Sequence, residues 1–309
     1  MKNSRSNRTA TPLRRGDSIG IFAPAGPLVD REGAEAGLRI LKEAGFNPRY
    51  QRGIFQRRSD YLAGSDEQRI AELHELLSDP ETGALMAMRG GYGSLRLLNL
   101  IDWQLLKARP KIIVGFSDLT VLHAACLSQT AMVNLHGPML CTLDQCDRES
   151  ILHLFNTLTG SPPTSIRPAG LEIIRPGSAR GPLIGGNLTC LSHLLATPWE
   201  PGWQGGVLLL EEVGEAPYRV DRLLTQLAMS GRLEQVTAII VGELTDCGSQ
   251  ESCLQRLLEL TQARKTPIWA NFPAGHGRRN LTLPLGAEVE LDSNRGELRI
   301  INHPLGSSH

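Results

Sequence analysis

The sequence predicts an α/β protein, with a parallel sheet in its N-terminal half and a mixed α/β domain with β-rich ends in its C-terminal half. Three observations predict it. Between Lys111 and Phe116, five of six residues are apolar or Gly, which reads as a buried parallel strand, and Leu119, Leu122, Ala125 and Cys126 then fall at helical spacing. The same strand, turn and helix alternation starts near residue 18 and continues to about 158, the signature of a parallel layer. From 159 to 181 the composition then shifts to Pro, Gly and Ser, as in Gly160-Ser161-Pro162-Pro163 and Pro176-Gly177-Ser178. That shift divides the chain into an N-terminal domain over 16–160, a linker over 161–180 and a C-terminal domain over 181–309, matching the length prior of about two domains.

The individual elements follow from local signals. Residues 1–15 read as a loose tail, with no apolar stretch to make a secretory leader. Residues 18–23 form a strand, Pro24-Ala25-Gly26-Pro27 its turn, and 30–44 a helix stopped by Gly45. Ser65-Asp66-Glu67-Gln68 is a capping box, and Ile70, Leu73, Leu76 and Leu77 give the helix over 65–78 one apolar face. A strand over 84–88 runs into Arg89-Gly90-Gly91-Tyr92-Gly93, followed by a helical turn near 95–98. Beyond Ser117 come a strand over 132–135 ending in His136-Gly137-Pro138 and a helix over 149–158. The second half opens with Leu183-Ile184-Gly185-Gly186-Asn187 and a helix to about 196. It continues with strands over 206–210 and 236–241, helices over 218–229 and 251–263, and short strands near Leu281, Val289 and Leu298. Asp292-Ser293-Asn294-Arg295-Gly296 joins the last two strands as a hairpin.

Composition excludes several function classes. Lys plus Arg and Asp plus Glu both total 32, so no net charge favours nucleic acid or an anionic membrane. The longest apolar runs fall well short of the roughly 18 residues of a membrane span. The six cysteines make no C-x-x-C pair or zinc spacing and read as reduced packing residues of a cytosolic protein. H-E-x-x-H, G-x-G-x-x-G and the phosphate-binding loop pattern are absent, so neither metal nor nucleotide chemistry is indicated.

Ser117 sits in the strand-to-helix turn, where its hydroxyl would rise above the carboxyl end of the sheet beside the free N–H groups of a helix N-terminus. This is the logic of a nucleophile elbow, although Ser is also a preferred helix cap and Asp118 suits a first turn. A base is available in His276, which lies between Gly275 and Gly277 in a loop with no helix or strand face to pack on. His74, His123, His153 and His193 fall in helices, and His303 and His309 in the terminal segment, where packing or exposure accounts for them. His136 could line the same cleft or anchor its turn. A carboxylate at the mouth of the apolar strand 206–210 could orient an imidazole, but Glu211, Glu212 and Glu215 all compete for that role, and Arg219 or Arg222 could pair with any of them. The Gly90-Gly91-Tyr92-Gly93 loop suits a backbone donor for an oxyanion.

Six motifs in order resemble the serine L,D-carboxypeptidases, the muramoyl-tetrapeptide carboxypeptidases of murein recycling, with the microcin C immunity protein as a relative. They are Met88-Arg89-Gly90-Gly91-Tyr92-Gly93, Gly115-Phe116-Ser117-Asp118, His136-Gly137-Pro138, Ile184-Gly185-Gly186-Asn187-Leu188, Leu210-Glu211-Glu212-Val213-Gly214-Glu215 with Tyr218-Arg219-Val220-Asp221-Arg222, and Gly275-His276-Gly277. The resemblance implies a nucleophile at Ser117, a base at His276, the triad carboxylate at Glu211, and oxyanion donors in the backbone N–H groups of Gly91 and Asp118. It implies a cytoplasmic homodimer that needs no cofactor and releases the terminal D-Ala of murein tetrapeptide, its active site lying between domains. Many members carry Asp where this chain has Glu212. The alternatives are a microcin-type aminoacyl-nucleotide hydrolase or a non-catalytic module binding a peptide or sugar phosphate.

Overall fold

The computed structural model describes residues 9–302 and 304–306; His303 and His309 lie outside the described residues, as does the 1–8 part of the expected tail. Its strands are β1 (Ser18–Phe22), β2 (Asn47–Arg49), β3 (Thr82–Ala87), β4 (Ile112–Gly115), β5 (Asn134–His136), β6 (Ser165–Ile166), β7 (Glu172–Arg175), β8 (Ser178–Asn187), β9 (Val207–Val213), β10 (Ala238–Thr245), β11 (Ile268–Ala270), β12 (Leu283–Leu285), β13 (Glu288–Asp292) and β14 (Glu297–Ile300). They form a six-stranded sheet, ordered β12-β5-β4-β3-β1-β2, and an eight-stranded sheet, ordered β6-β14-β13-β8-β9-β10-β11-β7. The first is parallel except for β12. The second has a parallel centre, β8 to β11, with antiparallel strands at both margins.

The central strands of the first sheet are buried on both faces, which explains their uninterrupted apolar runs. Leu38 and Leu41 of the helix Arg31–Glu43 and Leu154 and Leu158 of Arg148–Leu158 cover one face. Leu73, Leu76 and Leu77 of Asp66–Ser78, with Val121, Leu122 and Ala125 of Thr120–Thr130, cover the other. Each fully buried Leu or Val contributes about 1.5–3 kcal/mol. The capping box at Ser65 is formed, with Gln68 N–H donating to Ser65 Oγ and Ser65 N–H to Gln68 Oε1. Strand order runs outward in both directions from β1 and β3, so the loops after them flank a topological switch point, where open α/β sheets place ligands. Those two loops are the Pro24 turn and the Arg89-Gly90-Gly91 loop, joined by Gly26 N–H to the Gly90 carbonyl at 3.2 Å.

Four expectations need correction. Residues 9–15 are not loose: Ala10 and Leu13 are buried in the first core, and Leu13 N–H donates to the Leu158 carbonyl at 2.8 Å. The 161–180 stretch carries β6, β7 and the start of β8, because its polar, Pro-broken composition suits short marginal strands as well as a linker. The strand expected near Leu281 lies at β12 and leaves the C-terminal half to pair with β5 of the first sheet. The Gly-rich entry Leu183 to Asn187 belongs to β8, whose last residue, Asn187, caps the helix Leu188–His193 by accepting the Cys190 N–H.

Candidate active site

The turn after β4 starts from a conformational cost. Ser117 has φ of +62°, a left-handed conformation that costs a non-glycine residue on the order of 1–3 kcal/mol and persists only where its surroundings enforce it. Gly90 makes room for it, since a Cβ there would come within 2.9 Å of both Ser117 Cβ and Oγ. The Ser117 hydroxyl caps nothing; the short 3-10 turn Ser117–Leu119 and the helix Thr120–Thr130 have no side-chain cap. The preferred-cap reading of Ser117 therefore has no hydrogen bond behind it. Asp118 turns its carboxylate the other way, where Oδ2 accepts the Ser94 N–H at 2.8 Å and burial pushes the carboxyl up. Among the described residues, the backbone N–H groups of Gly91 and Asp118 donate to no protein acceptor.

The opposite wall comes from the second sheet. Glu211 on β9 is fully buried, and its Oε2 accepts His276 Nδ1–H at 2.7 Å. That bond fixes the tautomer with Nε2 unprotonated and available as a base. Burial pushes the Glu211 carboxyl up, opposed by the His276 hydrogen bond, and Oε1 has no partner among the described residues. A carboxylate buried with one oxygen unpaired gains most when its neighbour becomes cationic, which is what a base needs on accepting a proton. Gly275 (φ +127°) permits the approach, because a Cβ there would lie 3.0 Å from Glu211 Oε2. The His276 ring stands edge-on to Phe116 at 4.8 Å, and Ser117, Gly91 and His276 line one pocket of about 210 Å³. No hydrogen bond joins Ser117 to His276; such bonds are commonly long until substrate is bound.

The three acids that spacing leaves open take different partners. Adjacent strand residues face opposite sides. Glu212 accepts from the Asn187 side chain at 2.7 Å and the Thr189 N–H at 2.8 Å, whereas Glu215 pairs with Arg219 at 3.4 Å. His136 does not reach the pocket: it is wholly buried beside Phe116, and burial pushes its imidazole down to about 3. His123 lies under the turn, donating to the Gly115 carbonyl at 2.9 Å, and burial pushes it down to about 4. Sequence reasoning missed the supports of the loops. Arg69, buried in the helix Asp66–Ser78, donates to the Pro24 and Gly93 carbonyls, while Glu72 of the same helix accepts the Ala23 N–H at 2.8 Å. The only signal was that both lie beside the apolar face of an amphipathic helix. Another groove, of about 710 Å³, lies between β7 and the helix Gln250–Leu260; its lining includes Glu172, Gln250, Ser252 and Asn271 and holds no histidine or cysteine.

Two family models match, the LD-carboxypeptidase N-terminal domain over 19–137 and the LD-carboxypeptidase C-terminal domain over 180–291. The chain belongs to the LD-carboxypeptidase family. The murein tetrapeptide carboxypeptidase of Pseudomonas aeruginosa is 34% identical, the match covering 90% of this chain and 94% of that protein. The microcin C7 self-immunity protein MccF of Escherichia coli is 28% identical over 96% of this chain and 97% of its own. The crystal structure of muramoyltetrapeptide carboxypeptidase from Oxalobacter formigenes superposes with a TM-score of 0.79 at 30% identity, covering 93% of this chain and 99% of that one. The LD-carboxypeptidase family consists of serine peptidases, so this mixed α/β chain is a serine peptidase. No helix among the described residues is long and apolar enough to cross a membrane.

Proposed function

We propose that the chain is a serine L,D-carboxypeptidase that removes the C-terminal D-Ala from murein tetrapeptide. The observation that carries this reading is the buried Glu211 carboxylate bonded to His276 Nδ1–H at 2.7 Å, with that ring in the same pocket as the strained Ser117 turn. Ser117 Oγ attacks the carbonyl of the amide between the L-centre and the terminal D-amino acid while His276 Nε2 takes the hydroxyl proton. The oxyanion is met by the N–H groups of Gly91 and Asp118, and Glu211 stabilises the imidazolium. His276 then protonates the leaving amine, D-Ala departs, and a water deprotonated by His276 hydrolyses the acyl-serine to restore the enzyme. This sequence calls for no cofactor.

The same reading takes 16–160 and 181–309 as two domains, with the nucleophile from one and the acid and base from the other. It also takes the protein to be a cytoplasmic homodimer acting in peptidoglycan recycling. Incubation with murein tetrapeptide, with an aminoacyl-sulfamoyl adenosine in parallel, tests the substrate. Release of D-Ala and tripeptide, lost in Ser117→Ala, is the expected result. Cleavage of the nucleotide conjugate alone would make the protein a microcin-type hydrolase, and hydrolysis of neither would defeat the reading. Size-exclusion chromatography with light scattering checks the dimer.

A further inference from the structure

The proposed mechanism leaves one charged group of the pocket without a task. Arg89 is the one Arg or Lys among the pocket's lining residues, which include Val29, Asp30, Ser117, Met139 and His276. Its Nη1 donates to the Pro27 carbonyl at 2.9 Å, and its guanidinium lies over the glycine backbone of both switch-point loops. A Cβ on Gly26 would stand 3.3 Å from Nη1, and one on Gly91 would stand 3.9 Å from Nη2. Among the described residues Arg89 makes no ion pair, whereas the half-buried or buried Arg57, Arg69 and Arg232 pair with Glu72, Asp66 and Glu200. The carboxylate that shares the pocket, Asp30, is committed elsewhere: its Oδ1 accepts the Gly33 N–H at 2.9 Å and caps the helix Arg31–Glu43.

We propose that Arg89 binds the free C-terminal carboxylate of the substrate. The inference rests on Ser117 being the nucleophile. In a peptide cleaved before its last residue, only one nitrogen and one Cα separate the scissile carbonyl from the terminal carboxylate, a gap of about 4 Å or less. A pocket that seats the carbonyl on Ser117 must therefore enclose the carboxylate as well, and an enclosed carboxylate needs a cationic partner. A guanidinium offers two parallel N–H donors to such a group, and one already held by the Pro27 carbonyl loses little freedom on binding it. Arg89 thus makes the enzyme a carboxypeptidase rather than an endopeptidase, because an amidated or extended substrate brings no charge to offset the guanidinium.

The test compares kcat/KM for L-Ala-γ-D-Glu-L-Lys-D-Ala with that for the same peptide ending in D-alaninamide, using wild type, Arg89→Met and Arg89→Lys. Wild type should prefer the free acid by about 10²–10³-fold, within the range that losing one partner of a buried, hydrogen-bonded charge pair costs. Arg89→Met should lower the rate on the acid far more than on the amide, so that the acid-to-amide ratio falls close to one, and Arg89→Lys should recover part of the preference. Equal losses on acid and amide would show that Arg89 only props the Pro27 loop, and would overturn the inference. Wild type that cleaves both substrates without preference would overturn it alone, leaving the peptidase reading intact. Wild type that cleaves neither would remove that reading and this inference with it. The wild-type ratio needs no variant, so a folding defect in Arg89→Met cannot rescue the idea.

Discussion

The turn after β4 and the loop after β11 each bring one group to the same pocket, yet they are built in opposite ways. The Ser117 turn is local: strand, serine, 3-10 turn and helix follow one another within Ile112–Gly115 and Thr120–Thr130. The His276 loop has no regular structure and is held by distant groups. Glu243 N–H donates to the Ala274 carbonyl at 2.9 Å, Gly275 N–H to Asn280 Oδ1 at 3.2 Å, and Asn280 N–H to Ser150 Oγ at 2.9 Å. Arg279 further ties the loop to Glu149 at 2.9 Å. A hydroxyl can be aimed largely by its own neighbours in sequence, whereas a carboxylate–imidazole pair must be assembled across the fold.

Breaking the chemistry of the local side should have the largest effect. Ser117→Ala is expected to lower kcat/KM by roughly 10⁴–10⁶-fold with the melting temperature almost unchanged, measured by D-Ala release and calorimetry. A variant that kept a tenth of wild-type activity would show that the turn does not carry the nucleophile. On the assembled side, Glu211→Gln should cost about 10³–10⁴-fold, because an amide at the 2.7 Å contact can donate to Nδ1 and favour the wrong tautomer. Steady-state kinetics decide this, and a loss below about tenfold would separate Glu211 from the base.

Two glycines sharpen the contrast. Gly90→Ala crowds the Ser117 side chain and should cost activity on the order of 10²-fold with little loss of stability, since misplacement by about 1 Å has that effect. Gly275→Ala places a side chain at φ +127° against Glu211 and should cost both activity and about 1–3 kcal/mol of stability. Urea unfolding alongside kinetics separates the two, and equal stability losses would erase the distinction between a local and an assembled half.

A separate effect, on stability and not on turnover, is expected in acid beneath the Ser117 turn. Unfolded histidines take up a proton below about pH 6.5, whereas folded His123 and His136 resist protonation until about 4 and about 3. The unfolded state therefore binds more protons across that window, and stability should fall as pH drops from about 6.5 to 4, by up to about 1.4 kcal/mol per pH unit for each group. His123→Gln, which keeps a donor for the Gly115 carbonyl, should flatten the slope by about one proton's worth in urea titrations at pH 7, 6 and 5. An unchanged slope would show that His123 takes up its proton over the same pH range in the folded and unfolded states.

The sequence by itself determined the elements whose signals are local. The apolar run before Ser117 and the capping box at Ser65 gave a strand and a helix of the first sheet, and the turn over 292–296 gave the hairpin β13–β14. It also placed a serine at a strand-to-helix turn and a histidine between glycines, because both are statements about neighbours in the chain. Spacing left Glu211, Glu212 and Glu215 open and only the resemblance singled out Glu211; the tertiary structure supplies the physical reason, because the pairing of β9 between β8 and β10 turns Glu211 to His276 and the adjacent Glu212 to Asn187. It likewise decided that β12 crosses to the first sheet, that Arg69 and Glu72 are buried on a helix whose pattern marks them as polar, and that Arg89, without an ion pair among the described residues, lines the same pocket as Ser117. The reason is common to all of these. A charged side chain is stable in a buried site only when a partner far along the chain satisfies it, and hydrophobic periodicity records burial but not partners.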